Sequence, residues 1–234
     1  ISVEENGPMR AVISVLGWNA NKEEEKFLTY TTRIHVYRNQ PFVRIFHTLT
    51  NRHEEQVTGK HKWARDWPDE SEYRTTELPQ QNIADATILF KPGGLGKWSF
   101  LTEEDTLSGN VRTGAAVHRQ THHKEGVLSR PSGDVNTGEV PGIVHLKGAG
   151  GTLSLALFRY SNLFPKETRI SDQGIEMGLI PYTTSKPHAL LKGTARTSEL
   201  FLAFDVSGDG TGQLSTRCFT EPSVFSNNEW YCKS

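Results

Sequence analysis

The chain has 234 residues, a formal net charge of −1 and a pI near 6.8, with 21 glycines and 11 prolines. A near-neutral chain whose basic residues are scattered rather than blocked gives no long-range attraction for nucleic acid. No apolar run approaches the roughly 20 residues that a membrane-spanning helix needs, and no signal-peptide pattern opens the chain. The length suits one large all-β domain. The absence of an initiator Met at Ile1 is expected of a processed product or of a piece of something longer.

In chain order, Asn6-Gly7-Pro8 signals a turn, Met9 to Leu16 reads as a strand, and Gly17 is expected to close it. Asn19 to Lys26 is acidic and polar, a loop or strand edge. Lys26 to Thr50 then reads as a long antiparallel hairpin, turning at Asn39-Gln40 ahead of Pro41. Period-two alternation separates Leu28, Tyr30, Thr32, Ile34 and Val36 from Thr29, Thr31, Arg33, His35 and Tyr37. With Asn39 and Gln40 at the turn, Val36 faces Val43, Ile34 faces Ile45 and Thr32 faces His47 on the core side. The other side carries Tyr37 beside Phe42, His35 beside Arg44, Arg33 beside Phe46, and Thr31 beside Thr48.

Asn51 to Trp67 is polar and basic, without periodicity, and carries Trp63, Arg65 and Trp67. Asp69 to Gln81 reads as loop and Ile83 to Phe90 as a strand before Pro92-Gly93-Gly94. Leu107 to Glu139, with the cluster His118, His122 and His123, reads as an exposed excursion. Ile143 to Leu146 and Thr152 to Tyr160 form a hairpin about a glycine turn. Ile175 to Pro181 and Thr197 to Val206 are further strands. No segment has the pattern of a three-turn amphipathic helix. The expected fold is all-β, a large antiparallel β-sandwich of the super-sandwich type with few or no helices, over residues 1–213, followed by a linker-like segment at 214–234.

Two arginines, a histidine and three aromatic rings are unusual on a solvated sheet face. Such a face suits a flat, polar, anionic ligand, with rings stacking on sugar faces and guanidinium groups forking onto carboxylates. The alternative is a second buried face whose charges are paired by acids elsewhere. Trp63 and Trp67, with Arg65 between them, are a candidate sugar platform or the packing under a loop. His47 is expected to be a satisfied core histidine. No metal site is expected; a divalent ion near His118, His122 and His123 is the weaker option, since no carboxylate or cysteine stands at ligand spacing. Cys218 and Cys232 form either a disulfide stapling the tail or two separate thiols.

The segments VEENGPMRAV (3–12), YTTRIHVY (30–37), PFVRIFHT (41–48), LFRYSNLFPKE (157–167) and GTARTSE (193–199) occur in one order and spacing. Together they resemble the central β-sandwich of exo-rhamnogalacturonan-lyase-like proteins. The closing EWYCKS (229–234) resembles the point where those proteins pass into a helical toroid. Two departures stand out: the small β-barrel and the toroid that flank this region in the family are not in this chain, and Ser198 replaces a larger polar residue, usually His.

The resemblance implies a secreted or periplasmic lyase-like domain acting on an acidic, pectin-type polysaccharide. It needs no cofactor, and a toroid domain or partner chain completes it. Elimination requires a group that neutralises the uronate carboxylate, a base for the adjacent proton and an acid for the leaving oxygen. Arg33 or Arg44, His35 and Tyr37 are the candidates for these roles, with Phe42, Phe46, Trp63, Arg65 and Trp67 as sugar contacts. A binding module without chemistry is the alternative.

Overall fold

A computed structural model describes residues 1–20, 24, 26–52, 80–102, 105–148, 151–182 and 188–205. The described residues contain seventeen strands and one short 3-10 turn, Val111–Thr113, joined by turns and loops. The all-β expectation therefore holds. The candidates Trp63, Arg65 and Trp67, both cysteines and the 214–234 segment lie outside the described residues.

Nine strands form one antiparallel sheet. In spatial order they are β1 (Ser2–Asn6), β2 (Arg10–Ala20), β3 (Lys26–Tyr37), β4 (Phe42–Thr50), β17 (Ala195–Asp205), β13 (Gly151–Leu157), β12 (Ile143–Gly148), β7 (Leu95–Leu101) and β8 (Thr106–Asn110). A six-stranded sheet packs against it, in the order β11 (Val135–Asn136), β10 (Glu125–Ser129), β9 (Ala116–His122), β14 (Lys166–Ser171), β15 (Gly174–Ile180) and β6 (Ala86–Phe90). The pair β5 (Gln80–Ile83) and β16 (His188–Leu191) closes one end over Leu28, Leu49 and Ile180.

The main core lies between the two large sheets. Val43, Ile45, Trp98, Phe100, Val144, Leu146, Leu155, Leu200 and Leu202 come from the inner face of the nine-stranded sheet and meet Ala116, Leu128, Ile170, Ile175 and Met177 of the other. Strict alternation turns the intervening residues of the large sheet outward. There Ile143, Ala156, Phe201 and Ala203 form a second apolar cluster with Phe42, Leu101 and Phe158. The nine-stranded sheet thus has two faces with apolar content, and the hairpin's polar residues lie on the outer one.

Three expectations are corrected. Gly17 does not end β2, which runs on to Ala20, because the Tyr30 ring of β3 lies where a Gly17 side chain would stand. An aromatic covering a cross-strand glycine keeps the strand paired through that position. The segment 83–90 is not one strand: β5 and β6 belong to different sheets and break at Ala84-Asp85. Residues 107–139 are no exposed excursion, since β9 and β10 sit inside the six-stranded sheet, with Ala116, His118 and Gln120 buried on alternate positions.

Candidate functional site

The pairing of β3 with β4 follows the alternation read from the sequence. Thr31 faces Thr48, Thr32 faces His47, Arg33 faces Phe46, Ile34 faces Ile45, His35 faces Arg44 and Val36 faces Val43. Asn39 takes a positive φ of 57° in the turn, a conformation Asn tolerates better than most side chains. On the inner side, His47 Nδ1 lies 2.8 Å from the Thr32 hydroxyl and its ring stacks on Tyr30, while burial lowers its pKa. It is the satisfied histidine expected.

On the outer side the structure brings Arg33, His35, Tyr37, Phe42, Arg44 and Phe46 together. The His35 ring meets Phe46 edge-on at 5.0 Å, and the Tyr37 ring lies 5.4 Å from Phe42. The Arg44 guanidinium sits over Phe46 at 4.7 Å and over Phe201 at 5.5 Å, within the usual range of cation–π attraction.

Neighbouring strands add charges that periodicity within the hairpin does not reveal. β17 lies beside β4 with Phe201 opposite Arg44 and Glu199 opposite Phe46, so the Glu199 carboxylate reaches the Arg44 guanidinium in an ion pair. β1 contributes Glu4, which takes the Arg33 fork at 2.7 and 3.1 Å, and Glu5, which pairs with Arg10 of β2. A register shift between Val3 and Glu5 interrupts the regular pairing of β1 beside Glu4. Thr48 and Thr197 hydroxyls meet at 2.8 Å along the same face.

The electrostatics follow from these neighbours. His35 is half-buried, and desolvation together with the Arg10 and Arg44 charges pushes its pKa below the usual imidazole value, with Glu5 opposing. It is neutral at pH 7 and able to accept a proton. Burial alone would lower the Arg44 pKa, but the Glu199 hydrogen bond and charge reverse this and raise it. The Arg33 hydrogen bond holds the Glu4 carboxyl low, and the Arg10 hydrogen bond does the same for Glu5.

The three histidines considered for a metal are differently placed. His118 is buried, stacked on Phe100 at 4.4 Å, with Nδ1 at 3.2 Å from the Tyr160 hydroxyl and Nε2 at 2.8 Å from Thr137 Oγ1. Burial lowers its pKa to about 3. His122 is exposed against Phe164, and His123 lies 3.3 Å from Glu139. Among the described residues no group of three or more His, Cys, Asp or Glu side chains could hold a metal ion. No helix among them is long and apolar enough to cross a membrane.

Residues 1–59 match the family model described as the PcRGLX-like protein central beta sandwich domain. The match covers β1 to β4, so the resemblance read from the motifs holds over the strands that build this site. No curated protein matches the chain. The galactosidase domain of alpha-galactosidase-sucrose kinase, AgaSK, is similar with a TM-score of 0.51 and 11% identity, over 88% of this chain and 25% of that one. A putative aldose 1-epimerase from Klebsiella pneumoniae subsp. pneumoniae MGH 78578 is similar with a TM-score of 0.45 and 11% identity, over 88% of this chain and 53% of that one. The chain thus spans a quarter of the first structure and about half of the second. At 11% identity the likeness to the first structure is one of fold alone.

Proposed function

We propose that the chain is the central sandwich of a lyase-like enzyme, secreted or periplasmic, that cleaves an acidic, uronic-acid-containing, pectin-type polysaccharide by β-elimination, with the outer face of β3 and β4 as one wall of its site. The enzyme is larger than this chain, and a toroid domain or partner chain supplies the opposite wall. One observation carries the reading: a half-buried, neutral His35 stands opposite Arg44, whose positive charge is held firmly by Glu199.

The chemistry follows from those groups. His35 takes the proton next to the uronate carboxylate; the electron pair of that C–H bond becomes the new C=C bond, and the glycosidic C–O bond breaks. Tyr37 donates a proton to the departing oxygen. Arg44 and Arg33 face the carboxylate, where charge builds as the proton leaves. Phe42 and Phe46 offer ring faces to the sugar. Support comes from the shared outer face of these six side chains and from the family match over their strands.

A specific observation favours a second reading, a carbohydrate-binding face without chemistry. Arg33 and Arg44 each already hold a carboxylate, Glu4 and Glu199, and a uronate would have to share or displace it. The test incubates the full chain with rhamnogalacturonan and a panel of other uronate polysaccharides, following the ultraviolet absorbance of unsaturated products. Absorbance that grows and is lost in His35→Ala and Arg44→Ala supports elimination. Affinity without absorbance selects the binding face, and neither affinity nor absorbance overturns both.

A further inference from the structure

The outer face of the nine-stranded sheet carries a second concentration of positive charge on β12 and β7, four and five strands away from β3. β12 and β7 pair so that Lys147 stands directly opposite Lys97, and β7 and β8 pair so that Lys97 stands opposite Asn110. Trp98, Phe100, Val144 and Leu146 of these strands point into the main core, so Lys97 and Lys147 point outward. Directly opposed cross-strand side chains have Cβ atoms about 5 Å apart, and like charges there repel. Arg112, in the 3-10 turn that follows β8, adds a third cation; its backbone N–H donates to Asn110 Oδ1 at 2.9 Å, which fixes the turn against the strand end.

These side chains line an open cleft of about 480 Å³ together with Gly94, Gly96 and Gly148. Among the described residues no acid lines it, and none of its three cations has an ion-pair partner. The glycines matter. Gly94 has a φ of 70°, and a Cβ on Gly96 would stand 2.9 Å from the Lys147 carbonyl oxygen. Bare backbone on the floor lets a flat ligand come close, and three unpaired cations around one cleft favour an anion in it.

We propose that Lys97, Lys147 and Arg112 form a binding site for the carboxylate of an acidic sugar, a subsite separate from the β3/β4 face. The inference rests on the reading that the chain engages a uronate polysaccharide. Three to five strands separate the two positions, which at a spacing of about 4.8 Å is roughly 15–25 Å across the sheet. A uronate held here would anchor the polymer away from the bond being cleaved.

The test is a titration of the ¹⁵N-labelled full chain with galacturonate, and separately with inorganic sulfate, followed by amide shifts. Shifts at Gly96, Asn110, Lys147 and Gly148 that saturate with galacturonate are expected, with affinity roughly tenfold weaker in the Lys97→Gln/Lys147→Gln double variant. The Lys97→Arg/Lys147→Arg variant retains charge and should retain binding. Sulfate binding as tightly as galacturonate would overturn the sugar assignment and leave an anion site alone. Shifts at His35 and Arg44 without shifts in the cleft would overturn this inference and leave the proposed function standing. Shifts in the cleft alone would keep the subsite and count against the hairpin site. No shift in either region would overturn both.

Discussion

At one end of the outer sheet face Arg10, Arg33 and Arg44 are each matched to a carboxylate, Glu5, Glu4 and Glu199; at the other end Lys97, Lys147 and Arg112 share a cleft with no acid among the described residues that line it. The difference separates charge that holds strands together from charge left available to a ligand. Glu199 lies on β17 and Glu4 and Glu5 on β1, so the paired arginines tie β4 and β2 to their neighbours and tie β3 across β2 to β1. The lysines have no ion-pair partner among the described residues. The paired end is braced across strands, as the proposed catalytic face requires, and the other end carries the positive charge on which the proposed anion subsite rests.

A third setting shows what an unpaired cation costs in the interior. Lys166 is 1% exposed and donates to the Leu179 carbonyl at 2.6 Å, with no carboxylate partner among the described residues. Desolvation, with Arg196 nearby, lowers its pKa to about 7 from 10.5. Between these values the unfolded chain binds a proton that the folded one does not, so stability rises with pH across that window. The expected slope is at most about 1.4 kcal/mol per pH unit, summing to about 2–4 kcal/mol between pH 7 and 10.5 after local relaxation. Urea unfolding over that range measures it. Lys166→Met should flatten the profile; an unchanged profile would show that Lys166 stays charged inside the fold.

The next largest effect tests the paired end. Glu199→Ala leaves the half-buried Arg44 without its partner, and a loss of about 2 kcal/mol is expected in denaturant unfolding. Glu4→Ala, at an exposed and solvent-screened pair, should cost clearly less. Equal losses would mean that Arg44 is not the deeper anchor of the two.

What was legible in the sequence follows the period of two. The hairpin register and the inward His47 were readable because Ile34 and Val36 alternate with Arg33, His35 and Tyr37 and meet Ile45 and Val43, and β17 was readable from the period-two row Leu200, Leu202 and Phe204. β9 reads as exposed loop because its buried positions include His118, held by Tyr160 and Thr137, and Gln120, whose Nε2 donates to the carbonyls of His122, His123 and Gly138 while its Oε1 has no partner among the described residues. Only the partners reveal why such side chains are inside. Glu199 was invisible as a site residue because 155 positions separate it from Arg44. The Lys97/Lys147 cleft likewise depends on β7 and β12 becoming neighbours, which no local pattern announces.

His35 gives a finer probe of the paired end. Desolvation and the Arg10 and Arg44 charges hold its pKa below the usual value, and Glu5 pulls the other way. Arg44→Ala should therefore raise the His35 pKa and Glu5→Gln should lower it further, both read from imidazole proton shifts. If elimination occurs, the acid limb of its pH–rate profile should move in the same directions. A His35 titration indifferent to both changes would mean that the ring does not feel these charges and would remove the electrostatic basis for a neutral base.

The smallest effect falls on the unpaired end. Lys147→Ala removes one of two opposed like charges from exposed positions of β12 and β7 while leaving the core residues Val144 and Leu146 in place. Because cross-strand repulsion is relieved and no ion pair is lost, unfolding should shift toward greater stability by about 0.2–0.5 kcal/mol at low salt, and the gain should shrink as salt screens the pair. Glu199→Ala at the other end moves stability the opposite way. A destabilising Lys147→Ala would show that the lysine is already tied to an acid within the chain, and the cleft would then belong to the same class as the arginine face.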